Sequence, residues 1–273
     1  MTLTPERYDR IADGYARFWG PIIAPWGIRV LDLIEADVAA GAREVLDLGT
    51  GTGRVALEAL KRWPSVRVTA ADPSAGMLAV AKRLAADELT TAQRKRLELV
   101  EAFGDNLGGA DGRFDAAVSA FVLQLVPSRA RVLREVRRVL RGGGRFGYVS
   151  WLAGERRFEG DRILDDVLDE AGFDPPAPDP RPGDLPSVEA ATGGMRAAGF
   201  RNVRGHRDEL VQPWTAASYT EFVTQFDEAD TFESMTTRER RHAIARMRRE
   251  LAALPADELA MRLPVVYATG VRS

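Results

Sequence analysis

Twelve consecutive residues, Val45-Leu46-Asp47-Leu48-Gly49-Thr50-Gly51-Thr52-Gly53-Arg54-Val55-Ala56, restrict the fold more than any other part of this chain. Val45, Leu46 and Leu48 form a short apolar run of the kind that becomes a buried parallel strand. The alternating glycines that follow let the backbone turn sharply and approach a ligand with no β-carbon in the way. Val55, Ala56, Ala59 and Leu60 then repeat at helical spacing, so a helix starts directly behind the turn with its free amides facing outward. Strand, glycine turn and helix together make a nucleotide-type cradle. A dinucleotide fingerprint needs G-x-G-x-x-G, and counted from Gly49 the last glycine falls on Arg54, so that pattern fails.

The rest of the chain sets limits on this cradle. At 273 residues it can bury one large α/β core, alone or with a small appendage. A net charge of −2 gives no overall basic field to hold nucleic acid or an anionic membrane. With no cysteine, disulfides, cysteine–zinc sites and thiol catalysis are excluded. Met1 to Arg7 carries no apolar signal core, and no run approaches the ~18 apolar residues of a membrane span, so a cytoplasmic protein is expected.

The spacing around the turn is D-x-G-x-G-x-G, with Asp47 closing the strand. A carboxylate there opposes a pyrophosphate but suits a ligand that carries an ammonium and a sulfonium. The stretch resembles the first motif of the class I S-adenosylmethionine (SAM)-dependent methyltransferases. Further matches follow. Val66 to Ala71 reads as a second strand ended by Asp72, which lies 19 residues past Gly53, the interval at which such folds place an acid on the ribose hydroxyls. Pro73, Ser74, Gly76 and Met77 continue like the family's D-x-S-x-x-M-L segment. Phe114-Asp115-Ala116-Ala117-Val118 is similar to its fourth-strand pattern. The nearest likeness is to the small-molecule branch, the ubiquinone/menaquinone-biosynthesis C-methyltransferases (methyltransferase domain 11/25-like).

The resemblance implies a Rossmann-like three-layer α/β sandwich with a seven-stranded, mostly parallel sheet whose last strand is antiparallel. It implies an N-terminal helical lid (1–40), a SAM-binding core (41–151), a loop, helix and sixth strand that complete it (152–213), a late helical insert capping the substrate (214–261) and a last strand (262–273). Within that frame, Pro5 to Ile23 and Trp26 to Val38 read as amphipathic helices that either simply pack on the sheet or form the lid over the cofactor. Leu97 to Val100, Phe114 to Phe121, Phe146 to Trp151, Asn202 to Val211 and Arg262 to Val271 read as strands. Arg141 to Arg145 reads as a helix end, and Ala216 to Leu254 as the insert. The proline-rich Asp174 to Pro186 reads as a surface loop bordering the active-site mouth.

The cofactor implied is SAM, leaving as S-adenosylhomocysteine, with no metal. Its expected contacts are Asp47, Gly49, Thr50, Gly51 and Gly53 in the first turn, then Asp72, Pro73, Ser74 and Met77 after the second strand. Phe103, Gly104, Asp105 and Asn106 occupy the adenine loop, where the family's acid aligns with Phe103 and Asp105 sits two positions later. Either Phe103 packs on the purine or Asp105 takes the contact. Ala120, Phe121 and Gln124 leave the fourth strand, and Tyr15 of the lid reaches toward the methionine end. Trp19, Trp151, Trp214, Tyr219 and Phe222 are candidates for an apolar substrate pocket, although core packing explains the last three equally well.

SAM is an activated methyl donor, so the protein needs chiefly to align the acceptor, and no catalytic side chain is named. His206 and His242 read as structural or surface residues. The arginines of Arg129 to Arg138 and of Arg238 to Glu250 lie mostly off the buried stripes of their helices and read as solvated faces. The expected partner is a small-molecule acceptor, with neither nucleic acid nor stable membrane insertion, in a monomer or homodimer. The alternatives are an NAD(P)-dependent oxidoreductase, opposed by Arg54 and Asp47, and a non-catalytic SAM-binding module.

Overall fold

A computed structural model describes residues 5–154, 158–174 and 183–273. The chain opens with α1 (Pro5–Gly14), a π-helical turn (Tyr15–Trp19), α2 (Gly20–Ile28), a 3₁₀ turn (Arg29–Leu33) and α3 (Glu35–Ala39). The core follows as β1 (Glu44–Leu48), α4 (Arg54–Arg62), β2 (Arg67–Asp72), α5 (Ala75–Glu88), α6 (Thr91–Arg94), β3 (Leu97–Glu101), β4 (Phe114–Ala120), α7 (Arg129–Val139) and β5 (Leu140–Trp151). Then come α8 (Glu159–Glu170), α9 (Val188–Ala197), β6 (Phe200–Pro213), α10 (Ala216–Phe222), a second π turn (Val223–Asp227), α11 (Ala229–Ser234), α12 (Thr237–Ala253) and β7 (Ala260–Arg272).

Seven strands form one sheet in the order β3-β2-β1-β4-β5-β7-β6. β1 pairs in parallel with β2 and β4, β2 with β3, and β4 with β5, while β7 runs antiparallel to β5. β1 and β4 are buried along almost their whole length, which is why they read as unbroken apolar runs. One face of the sheet carries a core built from Leu46, Leu48, Phe146 and Tyr148 against Val132, Val136 and Val139 of α7 and Met195 of α9.

Two compact units divide the described residues. The first falls within 1–153, 181–208 and 264–273, and the second within 154–180 and 209–263. In the second, α8 and α10 each pack on α12, and Leu164, Leu168, Phe222, Met247 and Leu251 of these three helices are all buried. Arg246 of the arginine-rich helix is spent on ion pairs with Glu170 and, at 2.8 Å, Glu250. The proline-rich loop expected at the active-site mouth lies, for residues 175–182, outside the described residues.

Three local expectations change. The expected helix end at Arg141–Arg145 belongs to β5, which starts at Leu140. Leu140 pairs with Phe114 and Arg145 with Ala116, and the intervening residues form a bulge in which Gly143 takes φ +81°. Pro5–Ile23 is not one regular helix. Pro21 cannot donate to a carbonyl one turn back, and the ladder shifts ahead of it so that the Gly20 amide donates to Tyr15 O in π fashion. The expected Trp26–Val38 helix divides into the end of α2, a 3₁₀ turn and α3.

Candidate functional site

Strand order reverses between β1 and β4, the place where an open parallel sheet leaves a crevice beyond its carboxyl ends. The first glycine turn lies there. Gly49, Gly51 and Gly53 all take positive φ, at +65°, +53° and +83°. At Gly49 the demand is also steric, since a β-carbon would sit 2.3 Å from Val122 Cγ2. The Thr50 amide donates to Ala71 O at 3.0 Å, which ties the turn to β2.

Two carboxylates close the turn from below and from the side. Asp47 is 1% exposed, and its Oδ2 accepts a 2.6 Å bond from Thr50 Oγ1. Burial pushes its pKa up to about 7, against the opposing hydrogen bonds from Thr50 and the Ala56 amide. Asp72, at the end of β2, accepts from the Gly51 amide at 2.8 Å through Oδ2 and from the Ser74 amide at 2.9 Å through Oδ1. Burial raises its pKa as well, and those two amides pull it back.

An open cleft of about 440 Å³ lies over the turn. Its walls bring together seven of the expected residues: Tyr15, Asp47, Gly49, Thr50, Gly51, Ala120 and Phe121. Gly53, Asp72, Pro73, Ser74 and Met77 are not in that lining; Asp72 reaches it through Gly51. Ser74 is the N-cap of α5, accepting from the Met77 amide at 3.1 Å, and the Met77 side chain is buried beside Ala12 and Val80. Phe103 and Asn106 bracket a tight turn, the Asn106 amide donating to Phe103 O at 3.0 Å, and Gly104 and Asp105 lie within it. The Phe103 ring is 58% exposed and the Asp105 side chain is exposed too, so both candidates for the adenine contact face outward.

Gln124 is engaged at both ends of its amide. Its Nε2 donates to Phe121 O at 2.7 Å, and its Oε1 accepts from Ser150 Oγ at 2.8 Å. This bracing holds Phe121 at φ +58°, a left-handed conformation that a bulky residue adopts only under constraint. The Phe121 ring stands 4.3 Å from Trp151, and Trp151 stands 6.4 Å from Trp19. These three make an aromatic wall within the first unit. In the second unit, Trp214 packs on Tyr219 and Phe222 at 5.6 and 5.1 Å, and the Tyr219 hydroxyl donates to Asp161 Oδ1 at 2.7 Å. His206 stacks on Tyr267 at 5.2 Å.

Sequence reading missed Gly20, Ile23, Ala24, Gly27, Thr52, Arg54 and Val55, which also line the cleft. Gly20 and Gly27, two glycines in an otherwise apolar helical stretch, were the available signal. A β-carbon at Gly27 would touch Ala120 Cβ at 3.4 Å, so the small residue lets α2 approach the end of β4. Among the described residues no group of acidic or histidine side chains is arranged to hold a metal, and no helix is long and apolar enough to cross a membrane.

A methyltransferase-domain family model matches residues 45–144, the segment from β1 to the start of β5. The demethylmenaquinone methyltransferase of Thermotoga maritima is 34% identical over 159 residues, covering 56% of this chain and 64% of that protein, just under two thirds of its length. The ubiquinone/menaquinone biosynthesis C-methyltransferase UbiE of Syntrophotalea carbinolica is 34% identical over 185 residues, covering 62% of this chain and 73% of that one. Among solved structures, YcgJ of Bacillus subtilis superposes with a TM-score of 0.56 at 19% identity, covering 89% of this chain and 98% of that one. The [4+2]-cyclase SpnF superposes at 0.53 with 21% identity, covering 89% and 80%. Those two likenesses speak for the fold alone, and the cyclase illustrates that this fold hosts more than one chemistry. The glycine turn, the two strand-end carboxylates, the sheet order and the sequence kinship converge: the chain belongs to the class I SAM-dependent methyltransferases, in the branch similar to the ubiquinone/menaquinone C-methyltransferases.

Proposed function

We propose that this chain transfers a methyl group from SAM to a small, largely apolar acceptor. The observation that carries this reading is the joint placement of Asp72, Asp47 and the Gly49–Gly53 turn at the switch point of the sheet. The residues suit the cofactor's chemistry. A backbone free of β-carbons at Gly49 and Gly51 admits close approach, Asp72 offers carboxylate lone pairs to a pair of hydroxyls, and Asp47 offers a counter-charge to an ammonium. When bound, SAM supplies a methyl group on a positively charged sulfur, already activated for displacement.

The chain's own residues then hold and orient. Asp72 would fix the sugar and Asp47 the amino group, while Gly49 and Gly51, free of β-carbons, would let the turn come close to the amino-acid tail. Tyr15 would close one side of the cleft, and the Phe121–Trp151–Trp19 wall would exclude water and seat a flat apolar acceptor. Alignment of this kind supplies on the order of 7–11 kcal/mol of barrier lowering, so no general base is required for an acceptor that is already nucleophilic. The reduced, hydroquinone form of a quinone precursor of the type named for the Thermotoga and Syntrophotalea relatives fits that description: its electron-rich ring carbon takes the methyl group and then releases its proton to solvent. In this reading residues 1–40 act as a lid, and the working form is a monomer or homodimer that needs neither metal nor nucleic acid.

Incubation with methyl-labelled SAM and a short-chain demethylmenaquinone kept reduced as the quinol, beside phenol and amine acceptors, tests the proposal. Label should move into the quinone with stoichiometric release of S-adenosylhomocysteine. Binding of SAM without transfer to any acceptor would instead establish a non-catalytic module.

A further inference from the structure

α1 crosses the first turn of α5 at very short range. A β-carbon built on Gly76 would lie 2.8 Å from Asp9 Cα and 3.0 Å from Asp9 O. Into this gap Asp9 directs one carboxylate oxygen, Oδ1, which accepts from Ser74 Oγ at 2.7 Å and from the Gly76 amide at 2.8 Å. Ser74 also donates its backbone amide to Asp72 Oδ1 at 2.9 Å. A chain of hydrogen bonds therefore runs from the N-terminal helix through Asp9 and Ser74 to Asp72, the strand-end carboxylate that holds the Gly51 amide of the cleft. Asp9 sits where a helix N-terminus favours negative charge, and its bonds to Ser74 and Gly76 hold its carboxyl below the usual carboxylate range. Around the contact, Ala12, Met77 and Val80 form a small buried cluster with Tyr8 and Tyr15 against it. The placement of Gly76 is itself informative, because glycine in a helix is unfavourable unless something needs the space.

From this juxtaposition we propose that Asp9 is a positioning residue of the cofactor cleft: it latches α1 onto the first turn of α5, holding Tyr15 over the cleft and the Asp72–Ser74 turn in place. The latch has two halves. Asp9 supplies the bonds, and Gly76 supplies the room for them. Asp9 is exposed as well, but its bonds run to a backbone amide and to a hydroxyl already fixed at the helix cap, whereas the ion pair between Asp13 and Arg83, which joins the same two helices, ties together two exposed side chains and contributes little. The effect on ligand binding rests on the SAM reading given above; the docking of α1 does not.

The test compares Asp9→Ala, Asp9→Asn, Gly76→Ala and Asp13→Ala in the full chain. Hydrogen–deuterium exchange is followed over residues 8–19 without ligand, and S-adenosylhomocysteine affinity is measured by calorimetry. Asp9→Ala should speed exchange in that segment and weaken S-adenosylhomocysteine by about tenfold, the scale of one lost charge-assisted contact. Asp9→Asn should restore both, because both donors point at one oxygen and an amide oxygen can take their bonds. Asp13→Ala should behave as wild type. Gly76→Ala gives a test of sign: helix propensity alone stabilises it, whereas a latch predicts faster exchange in α1 and weaker binding. Wild-type exchange in Asp9→Ala overturns the latch. Faster exchange with unchanged affinity overturns the positioning role. If wild type itself fails to bind S-adenosylhomocysteine, the cofactor reading falls, and the exchange data still decide whether Asp9 docks the helix.

Discussion

Replacing Asp72 with asparagine is expected to weaken S-adenosylhomocysteine binding by about 100-fold. The argument begins with geometry: Asp72 is 8% exposed, and each oxygen already accepts one backbone amide, from Gly51 and from Ser74. Each carboxylate oxygen has a second lone pair, so the group can accept two ribose hydroxyls while still holding the turn. Hydrogen bonds to a charged acceptor contribute roughly 1.5–3 kcal/mol each. Asparagine keeps one acceptor and turns an NH₂ toward a donor, removing one such bond and setting two donors face to face. A loss near 2.7 kcal/mol is about 100-fold in affinity. Calorimetry on the purified variant provides the number, and an affinity within twofold of wild type would remove Asp72 from the site.

The second large effect concerns pH. Asp47 holds its proton up to about pH 7 because burial disfavours the charge more than Thr50 and Ala56 support it. A ligand ammonium favours the ionised form, so below pH 7 the proton must leave before the ligand is held. Affinity should therefore rise by about tenfold between pH 6 and pH 8, one pKa unit being a factor of ten. Stability of the ligand-free chain runs the other way. The unfolded chain releases this proton near pH 4 and the folded one near 7, so the folded state binds more protons in between, and the Asp47 contribution falls as pH rises through that window. The Asp47→Asn variant should show neither trend: its affinity is weak and flat across the range. A wild-type affinity that does not change between pH 6 and 8 would mean that no cation meets this carboxylate.

What could be read in advance follows the range over which each signal acts. The β1–turn–α4 unit is local. Its apolar run, glycine positions and helical stripe lie within about a dozen residues, and the structure keeps them in that order. The start of β5 was hidden because Arg141-Gly142-Gly143-Gly144 carries the glycines of a helix end, while its pairing with β4 is decided by a neighbouring strand. The π turn at Tyr15 had a local cause in Pro21, visible in sequence as a missing donor but not as a change of helix type. Asp9 was invisible as a partner of Ser74, 65 residues away, because nothing in an amphipathic helix says which of its polar residues will meet another element. Asp115, read in the sequence as part of the fourth-strand pattern, accepts the Arg43 and Glu44 amides at 2.8 and 2.9 Å, a link across more than 70 residues that no local pattern carries. The aromatic candidates divided for a similar reason. Side-chain type marks Trp19, Trp151, Trp214, Tyr219 and Phe222 as apolar, and only the fold assigns the first two to one unit and the last three to the other.

One titration tests the central claim most directly: calorimetry of the full chain with S-adenosylhomocysteine above pH 7, with NAD in a parallel run. The account predicts one saturable site per chain for S-adenosylhomocysteine and no heat with NAD. Silence with S-adenosylhomocysteine, or saturable binding of NAD in its place, would contradict it.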